Sequence, residues 1–229
     1  MKAIILAAGK ATRLLPLTKE THQCLLKINK KTILEYQVEL LRKAGITEII
    51  VVTGFMADQV EKFCENKGVK TILNPFYSIS GMAMTLWISK EYLKNGFLFL
   101  YSDILFDSDV VKKLLEVEGD VVLAVKKNGL REEAEKVIEF NGFVETISKT
   151  DVKGGNGEFI GIAKFSKMGS DKLVQKLNEI AKIEINTSFI NVIDRLIEGG
   201  EKVTAFDIQE SQFIDIDFPE DLEKAKKLF

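Results

Sequence analysis

Lys2-Ala3-Ile4-Ile5-Leu6-Ala7-Ala8-Gly9-Lys10-Ala11-Thr12-Arg13-Leu14-Leu15-Pro16-Leu17-Thr18 decides how the rest of the chain is read. Residues 3–8 are continuously apolar, the pattern of a parallel strand covered on both faces, and the run ends abruptly in Ala7, Ala8 and Gly9. Small side chains there let a ligand approach the backbone. The N–H groups of such a turn form an anion-binding concavity, and Arg13 follows with a planar fork of donors suited to phosphate oxygens. The alternative is an ordinary strand-to-helix turn carrying one solvated arginine. A P-loop (G-x-x-x-x-G-K-[ST]) and a dinucleotide fingerprint (G-x-G-x-x-G) are excluded, because neither spacing occurs after Gly9.

Outward from this turn, residues 32–44 place apolar side chains at helical spacing, with Thr32 as cap and Gly45 as stop. A strand at 48–53, a helix at 57–66 and a short strand at 71–73 follow. Residues 79–93 are again helix-periodic, and 97–101 form a second near-continuous apolar strand ending in Ser102-Asp103. A helix at 109–116 and a strand at 120–126 come next. The region 140–165 alternates like antiparallel strands joined by Gly154-Gly155-Asn156-Gly157. Helices at 172–180 and 187–199, a strand at 203–207 and a closing helix from Pro219 complete the chain. The predicted fold is α/β: a Rossmann-like mixed, mainly parallel sheet with helices on both faces and a small antiparallel substrate lobe. One domain over 1–229 is expected, with divisions at 1–120, 121–210 and 211–229, the last carrying the closing helix.

The 229 residues are 46% hydrophobic, enough for one substantial core. A formal net charge of -2 argues against a duplex nucleic-acid partner, which needs a basic face. Cys24 and Cys64 have no C-x-x-C spacing, so neither a disulfide scaffold nor a zinc site is expected and the reduced cytoplasm is the expected compartment. No apolar stretch approaches the roughly 18 residues of a membrane span. The sequence does not reveal the oligomeric state, and a homodimer stays open.

Ligands of open parallel sheets sit beyond the carboxyl ends of the strands. The loop after Ala8, Asn74 and Asp103 each follow a predicted strand, so all three should face one crevice. Asp103, at the rim of a buried strand, suits a hard Mg²⁺ held by one or two carboxylates plus substrate phosphates; the bland alternative is a turn former. In Ile214-Asp215-Ile216-Asp217 the two acids share one face of an extended strand. Glu220 and Asp221, after Pro219, are read as first-turn helix residues. Ser80 is read as a helix cap before residue 81, with donation to a ligand as the second reading. Met82, Met84 and Trp87 are read as core, and the lone His22 as a structural hydrogen-bonder. Phe140, Phe143, Phe159 and Phe189 are read as core, with aromatic walls for a cationic head group as the second reading.

The segments Leu6-Ala7-Ala8-Gly9-x-x-Thr12-Arg13-Leu14-x-Pro16-Leu17-Thr18, Asn74 to Trp87, Tyr101-Ser102-Asp103-Ile104-Leu105-Phe106 and residues 213–222 together resemble the sugar-nucleotidyltransferase superfamily. The resemblance is nearest to the small choline-phosphate cytidylyltransferase type. It implies an Mg²⁺-dependent enzyme that joins a nucleoside triphosphate, CTP in this branch, to a phosphorylated small alcohol such as phosphocholine, with pyrophosphate leaving. It implies further that Leu6, Ala7, Ala8, Gly9, Ala11, Thr12 and Arg13 hold the triphosphate, and that Asn74, Ser80 and Gly81 line the base. Asp103, with Asp217 and its neighbour Asp215, would hold the metal, and Lys149 and Gly161 would meet the acceptor. Arg13, Gln23, Asp103 and Asp217 form the implied catalytic set. Four positions depart from the family pattern: Ala11 stands where glycine is usual, Gly81 and Met82 where choline-phosphate enzymes carry an Asn pair, and Gln23 where a phosphate-contacting lysine belongs. UTP- or dTTP-dependent sugar-1-phosphate transfer and a catalytically silent nucleotide-binding relative remain the alternatives.

Overall fold

The computed structural model describes residues 1–131, 133–149 and 154–229. Its first strand, β1 (Lys2–Ala7), divides its side chains between two cores. Ile4 and Leu6 point to one face with Leu86, Phe99 and Phe189, and Ala3, Ile5 and Ala7 to the other with Leu34, Val38 and Val60. This explains the unbroken apolar run, since both faces of the strand are covered.

Strands β2 (Lys27–Ile28) and β3 (Lys31–Thr32) form a short hairpin, and α1 (Ile33–Lys43) follows, capped by Thr32, whose Oγ1 accepts from Glu35 N at 3.1 Å. Then come β4 (Ile49–Thr53), α2 (Ala57–Asn66), β5 (Lys70–Leu73), α3 (Met82–Ile88), α4 (Lys90–Leu93), β6 (Phe97–Tyr101), β7 (Ile104–Phe106) and α5 (Ser108–Glu116). The second half holds β8 (Val121–Lys126), β9 (Lys136–Phe140), β10 (Phe143–Ser148), β11 (Gly157–Phe165), α6 (Lys167–Ile180), α7 (Phe189–Glu198), β12 (Val203–Asp207), β13 (Phe213–Asp215) and α8 (Pro219–Leu228).

The mixed α/β architecture expected from the sequence is the one observed. Nine strands form one sheet in the order β5-β4-β1-β6-β11-β8-β12-β10-β9. Pairing is parallel from β5 through β6 and between β8 and β12. The wholly buried β11 enters antiparallel between β6 and β8. The antiparallel strands continue the main sheet and curl, because β9 pairs with both β10 and β11. Among the described residues no helix is long and apolar enough to cross a membrane.

Three sequence expectations are corrected. The helix expected at 172 begins at Lys167, capped by Ser166; the small Gly169 disguises its first turn. A Cβ at Gly169 would lie 2.0 Å from Asp120 O, so glycine is what lets the helix seat there. The helical stretch 79–93 is broken at Ser89, whose hydroxyl donates to Leu86 O. Finally, Phe140 and Phe143 are not core: they are 66% and 39% exposed at the hairpin that joins β9 and β10.

A third, smaller core joins Leu14 of the first loop to Ile28, Ile33, Leu105, Ile216, Leu222 and Ala225. It pins the loop, the β7–β13 ribbon and α8 to one another. Ala11, at the base of this loop, adopts the left-handed conformation (φ 47°). A methyl there is strained by about 1 kcal/mol relative to glycine, so Ala11→Gly is expected to raise the melting temperature by about 2–4 °C. Calorimetry would detect this directly, and an unchanged or lower midpoint would contradict it.

Candidate active site

The carboxyl ends of β1 and β6, the β7–β13 ribbon, the residues Arg131, Glu133 and Glu135 ahead of β9, and parts of β10, β11 and α7 surround a cavity of about 670 Å³. Asp103 lies in the turn between β6 and β7. That turn is set by Gln37 of α1, fully buried, whose Nε2 donates to Tyr101 O and Ile104 O, both at 2.8 Å. Antiparallel pairing of β7 with β13 brings in the second acid-bearing segment, with Asp215 opposite Ile104. Just past the strand, Ile216 N donates to Asp103 O at 3.0 Å. Ile216 itself is buried, which turns its neighbours Asp215 and Asp217 into the cavity. The two acidic stretches, more than a hundred positions apart in sequence, are thus adjacent hydrogen-bonded backbone.

Gln23 sits in the seam between them, 8% exposed. Its Nε2 donates to Asp103 Oδ2 at 3.3 Å and to Ile216 O at 2.8 Å. His22 lines the cavity as well: its Nδ1 accepts from Cys24 N at 3.2 Å, and burial pushes its pKa down to about 4.

Burial, and then the neighbouring Asp217 charge, raise the pKa of Asp103 to about 7, while Asp215 is pushed up by burial and by Asp103 and Asp217. Two arginines answer part of this charge. Arg13 pairs with Asp217 and, at 3.1 Å, with Glu133. Arg131, which the sequence reading missed, donates through Nε to buried Glu158 at 2.6 Å and lies 3.4 Å from Asp215. Five acids (Asp103, Glu133, Glu135, Asp215, Asp217) face three cations (Arg13, Arg131, Lys149) across the cavity.

Asp103, Asp215 and Asp217 share the cavity, but among the described residues no three acidic, His or Cys side chains are gathered into a common ligand set. Asp217 and Asp215 are each turned toward an arginine. The donors nonetheless fit a hard divalent cation: Asp103 Oδ1 is buried without a hydrogen-bond partner, and carboxylate oxygen is the ligand Mg²⁺ takes.

The nucleotide-side expectations divide. Leu6, Ala8, Gly9, Arg13, Ser80 and Gly81 line the cavity, whereas Ala7, Ala11, Thr12 and Asn74 do not. Asn74 is fully buried and organises the turn after β5, donating to Ser80 Oγ (3.2 Å) and Thr85 Oγ1 (3.0 Å) and accepting from Phe76 N. Ser80 therefore does not cap α3; Gly81 occupies that position without a side-chain bond. The Gly81 N–H is committed to Ile185 O at 2.9 Å, and a Cβ there would fall 2.4 Å from Thr187 O. Met82 lines the cavity while packing on the core, and Met84 is buried.

On the other wall, Lys149 and Gly161 both line the cavity. Gly161 has φ +80°, and a Cβ there would meet the Tyr101 ring at 2.6 Å, so its bareness seats that ring. The Tyr101 hydroxyl donates to Glu135 Oε2 at 3.0 Å, and burial raises the Glu135 pKa to about 7. Asn186, Ser188 and Asn191, around the start of α7, complete this wall. Of the cations that could stand in for the absent lysine, Arg13 lines the cavity and Lys10 and Lys27 do not.

This chain is similar in sequence and fold to several known proteins. The CTP:phosphoglutamine cytidylyltransferase of Campylobacter jejuni is 28% identical over 249 residues, spanning 97% of this chain and 98% of that one. A choline-phosphate cytidylyltransferase of Streptococcus pneumoniae is 39% identical over 106 residues, 46% of each chain. The inositol-1-phosphate CTP transferase of T. maritima has the same fold, with a TM-score of 0.85 over 99% of this chain and 94% of that one at 22% identity. The family model of the MobA-like NTP transferase domain matches residues 3–149, which run from β1 through the phosphate-loop candidate and Asp103 to Lys149. With β4 and β6, the loop after β1 and the Asp103 turn inside that match, the chain belongs to the MobA-like NTP transferase family.

Proposed function

We propose that the protein transfers CMP from CTP to the phosphate of a phosphorylated small alcohol, the acceptor class to which phosphocholine belongs, and releases pyrophosphate. The observation that carries this reading is the bond from Ile216 N to Asp103 O, which joins the two acid-bearing segments beside the loop of residues 8–13. The relatives described above, whose names specify CTP and a phosphorylated small molecule, support the choice of nucleotide.

An acceptor phosphate oxygen attacks the α-phosphorus. A new P–O bond forms as the bond from the α-phosphorus to the bridging oxygen breaks, and that electron pair leaves on pyrophosphate. Such a reaction asks the protein for positioning and charge stabilisation, with no covalent intermediate. Mg²⁺ held by Asp103 with Asp217 supplies neutralisation and orientation of the phosphates when bound. Gly9 and Ala8 leave the backbone open to the triphosphate. Arg13 exchanges Asp217 for phosphate oxygens, to which its fork of donors is matched. Lys149 meets the acceptor phosphate, so residues 1–120 serve mainly the nucleotide, 121–210 mainly the acceptor, and 211–229 close the acidic site.

Gln23 supports a second reading, a nucleotide-binding relative without turnover, because a neutral amide replaces a charge. One assay separates the readings: pyrophosphate release from each of four NTPs with phosphocholine, aminoethyl phosphonate, phosphoglutamine and sugar 1-phosphates. Release that requires CTP and a small phosphorylated alcohol, and stops with EDTA, is expected. Release only from UTP or dTTP with a sugar phosphate, or CTP binding without any release, contradicts the proposal.

A further inference from the structure

We propose that Glu135 is the specificity-determining carboxylate of the acceptor site, reading an N–H or O–H donor on the head group, so that acceptors carry a primary ammonium or hydroxyl in preference to a trimethylammonium. This rests on the nucleotidyl-transfer reading of the cavity.

Glu135 is fixed before it meets any ligand. Its carbonyl accepts from Phe159 N at 2.8 Å, which holds it beside β11, and its Oε2 accepts from the Tyr101 hydroxyl at 3.0 Å. Tyr101 is neutral, and among the described residues it is the one hydrogen-bond partner of the Glu135 side chain. The two arginines of the cavity are committed elsewhere, Arg13 to Asp217 and Glu133, Arg131 to Glu158 and Asp215. A cavity-lining carboxylate with a single neutral donor has acceptor capacity left for a ligand.

Lys149 lies on the same wall, close enough for its charge to act on Glu135, yet it makes no ion pair among the described residues. The wall therefore offers a cation beside a carboxyl group with free acceptor capacity. A small phosphorylated alcohol is the matching dipole, with phosphate toward Lys149 and a proton-donating head group toward Glu135.

A trimethylammonium group has no N–H and is held by open aromatic faces. The aromatic rings lining the cavity have partners within the protein. Phe189 stacks on Phe99 at 3.8 Å, and Phe159 packs against both Phe189 and Tyr101. Phe213 is covered by the Arg131 guanidinium at 5.3 Å, and Tyr77 by Lys10 at 6.0 Å. The cavity lining also includes the polar side chains Asn186, Ser188 and Asn191.

The test uses the full chain with CTP and three acceptors: ethanolamine phosphate (primary ammonium), inositol 1-phosphate (hydroxyls) and phosphocholine (neither donor). Unmodified protein is expected to have a kcat/KM at least about ten-fold higher for one of the first two than for phosphocholine, the size of one charge-assisted hydrogen bond. Glu135→Gln keeps an acceptor for Tyr101 but loses the charge. It should raise KM for ethanolamine phosphate by about ten-fold or more and for inositol 1-phosphate by about three-fold, with kcat moving less than KM. The larger of these effects identifies which donor is read. Tyr101→Phe breaks the same internal bond without removing the carboxylate; if it reproduces the Glu135→Gln pattern, the role is structural and the proposal is overturned. Phosphocholine turned over as well as the donor-bearing acceptors, or an equal KM change for all three in Glu135→Gln, also overturns it. Calorimetric titration of the same acceptors into the CTP-loaded protein needs no turnover. If no pyrophosphate appears, the transfer reading fails, while a loss of ethanolamine phosphate or inositol 1-phosphate binding in Glu135→Gln still upholds this inference and unchanged binding overturns it.

Discussion

Asp103→Asn is expected to lower kcat/KM for pyrophosphate release by about a thousand-fold, the factor that roughly 4 kcal/mol of lost transition-state stabilisation produces. The carboxylate is buried at the meeting of two acid-bearing segments, and its Oδ1 has no partner within the protein. An amide is nearly the same size but neutral, and holds a divalent cation poorly. The same substitution should stabilise the unliganded protein at pH 8. Burial and Asp217 raise the folded-state pKa of Asp103 from 3.8 to about 7, so the folded state binds the proton more tightly than the unfolded state. This group's contribution is fully favourable below pH 4 and is lost as pH rises through 7, leaving a charged and costly group above it. Removing that charge should be worth on the order of 2 kcal/mol, or about 5 °C in melting temperature, at pH 8 and much less at pH 4. Steady-state kinetics and calorimetry at two pH values check both halves. An Asp103→Asn protein that keeps near-parental turnover would contradict the catalytic assignment.

Gln23→Lys is expected to increase turnover by about a hundred-fold, the usual worth of one charge aimed at the transferring group. Gln23 already occupies the right place, in the seam between Asp103 and Ile216 and facing the cavity. What it lacks is charge. An ammonium there would offset Asp103 and reach toward the phosphates, and should raise stability at pH 8 by favouring the ionised carboxylate. Single-turnover release of pyrophosphate from CTP is the appropriate measurement. Unchanged turnover would mean that Arg13, the other cation on the nucleotide side of the cavity, already supplies the missing charge.

The parts of the molecule that were legible in sequence are those written in short periodicities. β1 and β6 declare themselves by unbroken apolar runs, Thr32 by its place at the head of an apolar stripe of helical spacing, and the two acidic motifs by their place after or within apolar strands. What could not be read were contacts between distant segments. Gln37 fits the apolar stripe of α1 by position, and only the fold shows it clamping Tyr101 and Ile104 around Asp103. Arg131, Glu158 and Asp215 form a chain across three elements with no local signature. Glu135 follows a charged run that reads as solvated surface, and its partner is thirty-four positions away. The insertion of β11 between β6 and β8 is equally invisible, because all nine of its residues are buried and the pattern carries no direction. Gly161 is implied by the family resemblance alone, and its physical reason is the Tyr101 ring that fills the space its side chain would need.

The most direct measurement is anomalous scattering from crystals grown with Mn²⁺ and CTP. The account requires a manganese peak within bonding distance of Asp103 and Asp217, with the CTP phosphates against residues 8–13. CTP bound in that loop with manganese elsewhere, or CTP bound away from Gly9, would contradict it.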